Sequence, residues 1–230
     1  MRTQVGTIRN FSWVVPFLVA RGEQPQSSDL DCLRKVGIGA VLSLREEQER
    51  ADPEKRAYSA QAEAAACAVV GLSFRHIPLE DKVVPDPEII AAAVEAIDED
   101  LLAGRPVFVH CLAGIGRTGL VAAAWGMARG GHELKDVGEL FFAFLTEMYS
   151  HNGIPKEHFE AQHRKYRVPA HWWAIRTIAA SLGLFTGIVD PFPAESPPNA
   201  QDWTDRCHAA FQVWHRSTSG SERSRGPTLW

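Results

Sequence analysis

The most constraining feature of this sequence is a short apolar strand that runs directly into a loop containing glycine and then into an apolar helix. The strand spans 106–110, the loop 111–116, and the helix begins at Arg117. Gly114 and Gly116 supply the backbone angles that a tight curl needs. Such a loop points its backbone N–H groups into a concavity that the positive end of the helix dipole also faces. The sequence therefore predicts an anion-binding loop.

Strand and helix patterns alternate along the rest of the chain. Apolar or alternating runs predict strands, and helices are marked by N-terminal serine or Asp-Pro signals and by terminal glycines. We expect strands at 40–44 and 72–77 and helices at 27–35, from Asp52-Pro53 towards Gly71, and at 86–102. This alternation predicts an α/β fold with a mostly parallel central sheet flanked by helices.

The character of the chain changes near residue 169. Helices are predicted at 134–149 and 155–166, and one more from His171. Prolines and serines accumulate from about residue 191, and 217–227 has a disordered composition. We expect a main domain at 8–168 and a C-terminal extension at 169–230, consisting of a helix and then an irregular, flexible tail.

Composition excludes several classes of function. The 230 residues carry a net charge of −4, which gives no general attraction for nucleic acid or an anionic membrane. Arg2 and Arg9 precede an apolar run at 11–20 that has some features of a secretory signal, but Pro16 and the lack of a small-x-small cleavage site favour a pair of strands. The four cysteines are widely spread, so we expect neither a disulfide framework nor a zinc site.

The loop carries residues suited to chemistry on a phosphate group. Cys111 lies at its base, where a helix N-terminus and a nearby arginine favour the nucleophilic thiolate. Arg117, with five residues between it and the cysteine, can bind two phosphate oxygens with its planar guanidinium. A reactive thiol needs a reducing compartment, so we expect a cytoplasmic protein. No cofactor or metal is implied.

The segment His110-Cys111-x5-Arg117-Thr118 resembles the signature loop of the protein tyrosine and dual-specificity phosphatase superfamily. The stretch at 10–14 is similar to the opening of small atypical dual-specificity phosphatases. The resemblance implies a dual-specificity-phosphatase-like fold, with Thr118 hydrogen-bonded to the thiolate and His110 ordering the loop. The implied phosphate-binding residues are Leu112, Ala113, Gly114, Ile115, Gly116 and Arg117.

The resemblance also implies a general acid on a separate loop before the signature strand. The segment 76–85 is similar to that loop, and Asp81 lies thirty residues before the cysteine. Asp81 would protonate the leaving group and then act as base for water. Glu80 and Asp86 are its rivals, although Asp86 is better explained as the cap of the following helix.

The substrate class is less constrained. The loop has no basic side chain, which disfavours phosphoinositides, so phosphotyrosine on protein is the leading expectation, with phosphoserine or phosphothreonine as a further option. The alternatives are a catalytically weak phosphate-binding module, a phosphatase of a small non-protein phosphate ester, or a sulfur-transfer enzyme. We interpret Gln162 as a helix-surface residue rather than as a residue that positions the hydrolytic water. A metal on His151, His158, His163 or His171 is disfavoured by their spacing. The oligomeric state is not predicted.

Overall fold

The computed structural model describes residues 5–48, 58–81, 83–129, 168–182 and 198–219. Within them lies a five-stranded sheet in the order β1-β2-β5-β3-β4. The strands are β1 Ser12–Val15, β2 Val19–Gly22, β3 Ala40–Ser43, β4 Ser73–His76 and β5 Val107–His110. β1 pairs antiparallel with β2, whereas β2, β5, β3 and β4 are parallel neighbours. The predicted mostly parallel α/β sheet is confirmed, and the apolar run at 11–20 does form a strand pair, whose second strand extends to Gly22.

Helices cover both faces of the sheet. The described residues form α1 Ser27–Lys35, α2 Ala60–Val69, α3 Pro87–Leu102, α4 Gly116–Arg129, α5 Val168–Ser181 and α6 Ala200–Ser219. Side chains alternate along a strand, so Val107 and Val109 pack towards α3 to α6, whereas Phe108 packs towards α1 and α2. None of the helices in the described part of the chain has the length and apolarity needed to cross a bilayer.

The start of α2 differs from the prediction. Ser59 is the N-cap, with extended backbone angles, and its hydroxyl accepts a hydrogen bond of 3.2 Å from the Ala62 N–H. The helix therefore begins at Ala60, and the Asp52-Pro53 signal does not mark its start. A serine hydroxyl satisfies an otherwise unpaired helix N–H, which explains the later start.

The C-terminal extension contains more regular structure than predicted. The expected helix from His171 is confirmed as α5, but the stretch expected to be a flexible tail contains the 20-residue helix α6. Its buried residues Trp203, Cys207 and Phe211 recur every four positions, a helical period that the surrounding polar residues obscured. The helices predicted at 134–149 and 155–166, and residues 220–227 of the tail, lie outside the described residues.

The four parallel strands end level with one another. His110 pairs with Gly22 on one side and with Ser43 on the other, and Ser43 pairs in turn with His76. All four are the last residues of their strands. Parallel strands present their carboxyl ends at one edge, where α/β proteins commonly bind ligands. The segments that follow these residues therefore meet in space.

Candidate active site

Hydrogen bonds from the N-terminal segment hold the loop after β5. Three successive loop carbonyls are engaged: Leu112 accepts from the Gln24 N–H (3.1 Å), Ala113 from Asn10 Nδ2 (2.9 Å) and Gly114 from Arg21 Nη1 (3.3 Å). Because these carbonyls are directed to the N-terminal segment, we infer that the loop N–H groups face the opposite, concave side. Successive N–H groups arranged in this way form an anion-binding nest.

Gly114 is required by the path of this loop. Its φ is +71°, in the left-handed region that a residue with a side chain rarely adopts. A Cβ at this position would lie 2.1 Å from the carbonyl carbon and oxygen of Gly22. The close approach allows the loop to dock on the end of β2.

Arg117 lies in the first turn of α4 and is 1% exposed. Its Nη1 donates to the Leu79 carbonyl at 3.1 Å and lies 4.0 Å from Glu46 Oε2. Its Nε lies 3.4 Å from Asp81 Oδ1. These contacts with the segments after β3 and β4 orient the guanidinium before any phosphate binds.

The structure brings Asp81 to Arg117 from thirty residues earlier in the chain. The Asp81 N–H donates to Glu46 Oε2 at 3.1 Å, so Glu46 contacts both the aspartate backbone and the arginine. The rival carboxylates lie differently: Asp86 occupies the predicted N-cap position of α3, although its side chain makes no capping hydrogen bond, and Glu80 lines an open pocket beside the segment that carries Asp81. The Asp81 carboxylate and the Arg117 guanidinium are therefore neighbours in the fold, and the role of Asp81 as general acid stays a prediction.

His110 lies beneath the loop and is fully buried. Its Nδ1 is 3.1 Å from the Cys111 carbonyl oxygen, and its Nε2 is 3.0 Å from Glu63 Oε1. The Nε2 contact is an ion-pair contact without hydrogen-bond alignment. Glu63 Oε2 accepts from the Tyr58 hydroxyl at 2.5 Å, and that hydroxyl lies 2.8 Å from Ser43 Oγ. A chain of polar groups therefore connects α2 to the cysteine.

Burial and charge shift the pKa values in this chain. Burial raises the pKa of Glu63, but the attraction of His110 and the hydrogen bond from Tyr58 outweigh it, so the pKa falls below its usual value. Burial, followed by the charge of Glu63, raises the pKa of Tyr58. The tyrosine therefore stays neutral and donates, while Glu63 stays ionised.

Thr118 follows Arg117 in α4 and is fully buried. Its hydroxyl has no hydrogen-bond partner within the part of the chain that the structure describes. A buried hydroxyl without a partner is costly, and such groups are often kept for catalysis. Its predicted bond to the cysteine sulfur stays a prediction.

Several residues that shape the site were missed from the sequence: Asn10 as a side-chain donor, Arg21, Gln24, Glu46 and Glu63. Two of them left a signal. Arg21 is the one charged residue in β2, and Glu63 is the one charged residue in the alanine-rich α2. The described residues contain no group of three or more His, Cys, Asp or Glu side chains that could hold a metal ion. The predictions on His151, His158, His163 and Gln162, and on the side chain of His171, fall outside what the structure describes.

The fold and site define a class of protein. A cysteine and an arginine flank a glycine-bearing loop at the carboxyl edge of a parallel sheet, and an aspartate faces the arginine. Residues 18–131 match the family model "Polymorphic toxin system, DSP-PTPase phosphatase". This segment is therefore a phosphatase domain of the dual-specificity and protein tyrosine phosphatase superfamily, as the signature loop indicated.

Solved structures of similar proteins include Tk-PTP in its active form, at 27% identity over 56% of this chain and 79% of that one, with a TM-score of 0.46. A DUF442 protein from Shewanella putrefaciens CN-32 is 22% identical over 63% of this chain and 93% of its own, with a TM-score of 0.47. The core catalytic domain of the PP-IP phosphatase SIW14 from S. cerevisiae is 20% identical over 61% and 78%, with a TM-score of 0.48.

Proposed function

We propose that this phosphatase hydrolyses phosphate monoesters in two steps through a cysteinyl-phosphate. The Cys111 thiolate attacks phosphorus, the bond to the leaving oxygen breaks, and Asp81 gives that oxygen its proton. The Asp81 carboxylate then takes a proton from water, whose oxygen attacks phosphorus. The phosphorus–sulfur bond breaks, and inorganic phosphate and the thiolate are released.

Supporting groups have defined roles in this proposal. Arg117 and the N–H groups of the loop bind the equatorial oxygens, where charge accumulates in the transition state. The Thr118 hydroxyl donates to the sulfur as it leaves, and His110 keeps the cysteine backbone in place. The observation that carries the proposal is the 3.4 Å contact between Asp81 Oδ1 and Arg117 Nε, which joins the proton donor and the phosphate clamp at one point.

The proposed substrate is phosphotyrosine on protein. Cys111 is 3% exposed, so phosphorus has to reach a recessed sulfur. A tyrosine ring places its phosphate further from the peptide backbone than a serine or threonine side chain does, which favours an aryl ester. The loop side chains Leu112, Ala113 and Ile115 are uncharged and offer no cation to a second phosphate. We also propose a reducing compartment, the cytoplasm, because the nucleophilic thiol has to stay reduced.

The test is hydrolysis of two aryl phosphates, one with a good leaving group and one with a poor leaving group, under reducing conditions. Cys111→Ser should abolish turnover of both. Asp81→Asn should slow the poor leaving group by about 10²–10⁴-fold and the good one far less, because only the former needs a proton in the transition state. Rapid quenching with radiolabelled substrate should trap phosphate on the wild-type protein and not on Cys111→Ser.

Asp31→Asn is the matched control, because Asp31 lies on α1 with a side chain 55% exposed and pairs with Lys35. It should retain wild-type rates. Full activity of Cys111→Ser would refute the assignment of Cys111 as the nucleophile. Equal slowing of both esters by Asp81→Asn would refute the assignment of Asp81 as the general acid. Comparing phosphotyrosine and phosphothreonine peptides with inositol phosphates tests the substrate. Faster turnover of inositol phosphates would favour the alternative of a non-protein ester.

A further inference from the structure

A contact between the C-terminal helix and the loop that carries Asp81 has a consequence for the proposed reaction. We call residues 79–86 the acid loop; residue 82 is not among the residues that the structure describes. At its start, the Leu79 N–H donates to the Leu44 carbonyl at 3.2 Å, and the Leu79 carbonyl accepts from Arg117. The N–H of Asp81 is held by Glu46. The start of the acid loop is therefore anchored by residues that lie at the carboxyl edge of the sheet.

The end of the acid loop is anchored by α6. The indole Nε1 of Trp203 donates to the Pro85 carbonyl at 2.8 Å. Trp203 is 5% exposed and packs edge-on against Trp173 of α5, with ring centroids 4.9 Å apart. A buried indole N–H needs an acceptor, and here the acceptor belongs to the acid loop. Burial of the ring thereby determines where Pro85 lies.

Arg206 adds a second attachment one helical turn further along α6. Its guanidinium forms two hydrogen bonds with Glu88, Nε to Oε1 at 2.9 Å and Nη2 to Oε2 at 2.6 Å. Nη2 also lies 3.0 Å from Asp86 Oδ1, at the last residue of the acid loop. The same arginine therefore contacts the loop end and the first turn of α3.

We propose that Trp203, supported by Arg206, is a positioning residue for the general acid. This inference rests on the proposed role of Asp81. Because both ends of the acid loop are anchored, the Asp81 carboxyl group stays close to the bound phosphate ester. It therefore does not have to move into place before it donates its proton. The segment responsible lies beyond residues 18–131, which the phosphatase family model matches, so acid catalysis in this chain depends on its C-terminal helix.

The test is Trp203→Phe, which removes the N–H donor and keeps an aromatic ring. We expect kcat for the poor leaving group to fall about five-fold, as for loss of one ordinary hydrogen bond, with KM within two-fold and the good leaving group unaffected. Trp173→Phe makes the same chemical change in the neighbouring ring and should leave both rates unchanged. In the Asp81→Asn background, Trp203→Phe should cause no further loss, because the acid is already absent.

Equal loss for both leaving groups, or a full additional loss in the Asp81→Asn background, would show a purely structural role and overturn the inference. No loss at all would do the same. Arg206→Gln, on a partly exposed side chain, gives the same readout should Trp203→Phe fail to fold, and circular dichroism identifies that case. If Asp81→Asn itself shows no dependence on the leaving group, the proposed acid fails and this inference falls with it. If Asp81→Asn shows the expected dependence on the leaving group but Trp203→Phe changes neither rate, this inference alone is refuted.

Discussion

Replacement of Glu63 by alanine should destabilise the protein strongly, although Glu63 lies on the helix behind the loop. The carboxylate contacts the fully buried His110 and accepts from Tyr58. Its removal leaves the buried imidazole and the buried tyrosine hydroxyl without their partner, and each unsatisfied buried polar group typically costs about 1–3 kcal/mol. Because the His110 contact is poorly aligned, we expect a loss of about 3 kcal/mol in total. Glu63→Gln keeps the shape and one acceptor oxygen and should cost about 1–2 kcal/mol.

Urea unfolding followed by circular dichroism at neutral pH measures these differences, and Tm should fall by about 6–12 °C for Glu63→Ala. Glu95→Ala, on the exposed side of α3, is the control and should change stability by less than about 0.5 kcal/mol. The folded-state pKa of Glu63 is lowered, so its charge stabilises the fold above the ordinary carboxyl pKa of about 4.3. This stabilisation is lost as the pH falls through the lowered value.

The stability gap between wild type and Glu63→Gln should therefore narrow as the pH falls from about 4.3 through the lowered pKa of Glu63, below which the wild-type carboxyl is neutral like glutamine. A gap that stays constant over this range would refute the charged state assigned to Glu63. A Glu63→Ala variant no less stable than Glu95→Ala would refute the claim that the buried chain of polar groups supports the loop.

Three further substitutions test the loop itself. Gly114→Ala should cost about 1–2 kcal/mol from its positive φ alone, and the clash with Gly22 should displace the loop and abolish phosphate binding, measured by calorimetry with inorganic phosphate. Asn10→Ala removes the donor to the Ala113 carbonyl and should lower kcat/KM about five-fold with little effect on the leaving-group dependence; unchanged kinetics would contradict its role. Arg117→Lys keeps the charge and loses the planar pair of donors, so kcat/KM should fall at least about 100-fold, and near-wild-type turnover would show that charge alone suffices.

The secondary structure could be predicted wherever its signal was local. The strand before Cys111 and the helix after Gly116 follow from apolar runs and glycines that are contiguous in sequence. The start of α2 was misplaced because Asp52-Pro53 and Ser59 are both competent caps, and local propensity does not decide between them. Helix α6 was missed because the residues of its buried face, Trp203, Cys207 and Phe211, are spread among polar residues. This face can be recognised only once α6 packs against α3 and α5.

The signature loop, with Cys111, Arg117 and the glycines, was determined by the sequence alone, because strand, curl and helix lie within a few residues of one another. Only the tertiary structure decided what surrounds it. Level ends of four parallel strands bring Gln24, Glu46 and Asp81 to one edge, and α2 and α6 add Glu63 and Trp203 from opposite faces of the sheet. These contacts join residues far apart in the chain, and they exist only where burial of the apolar faces places the elements side by side.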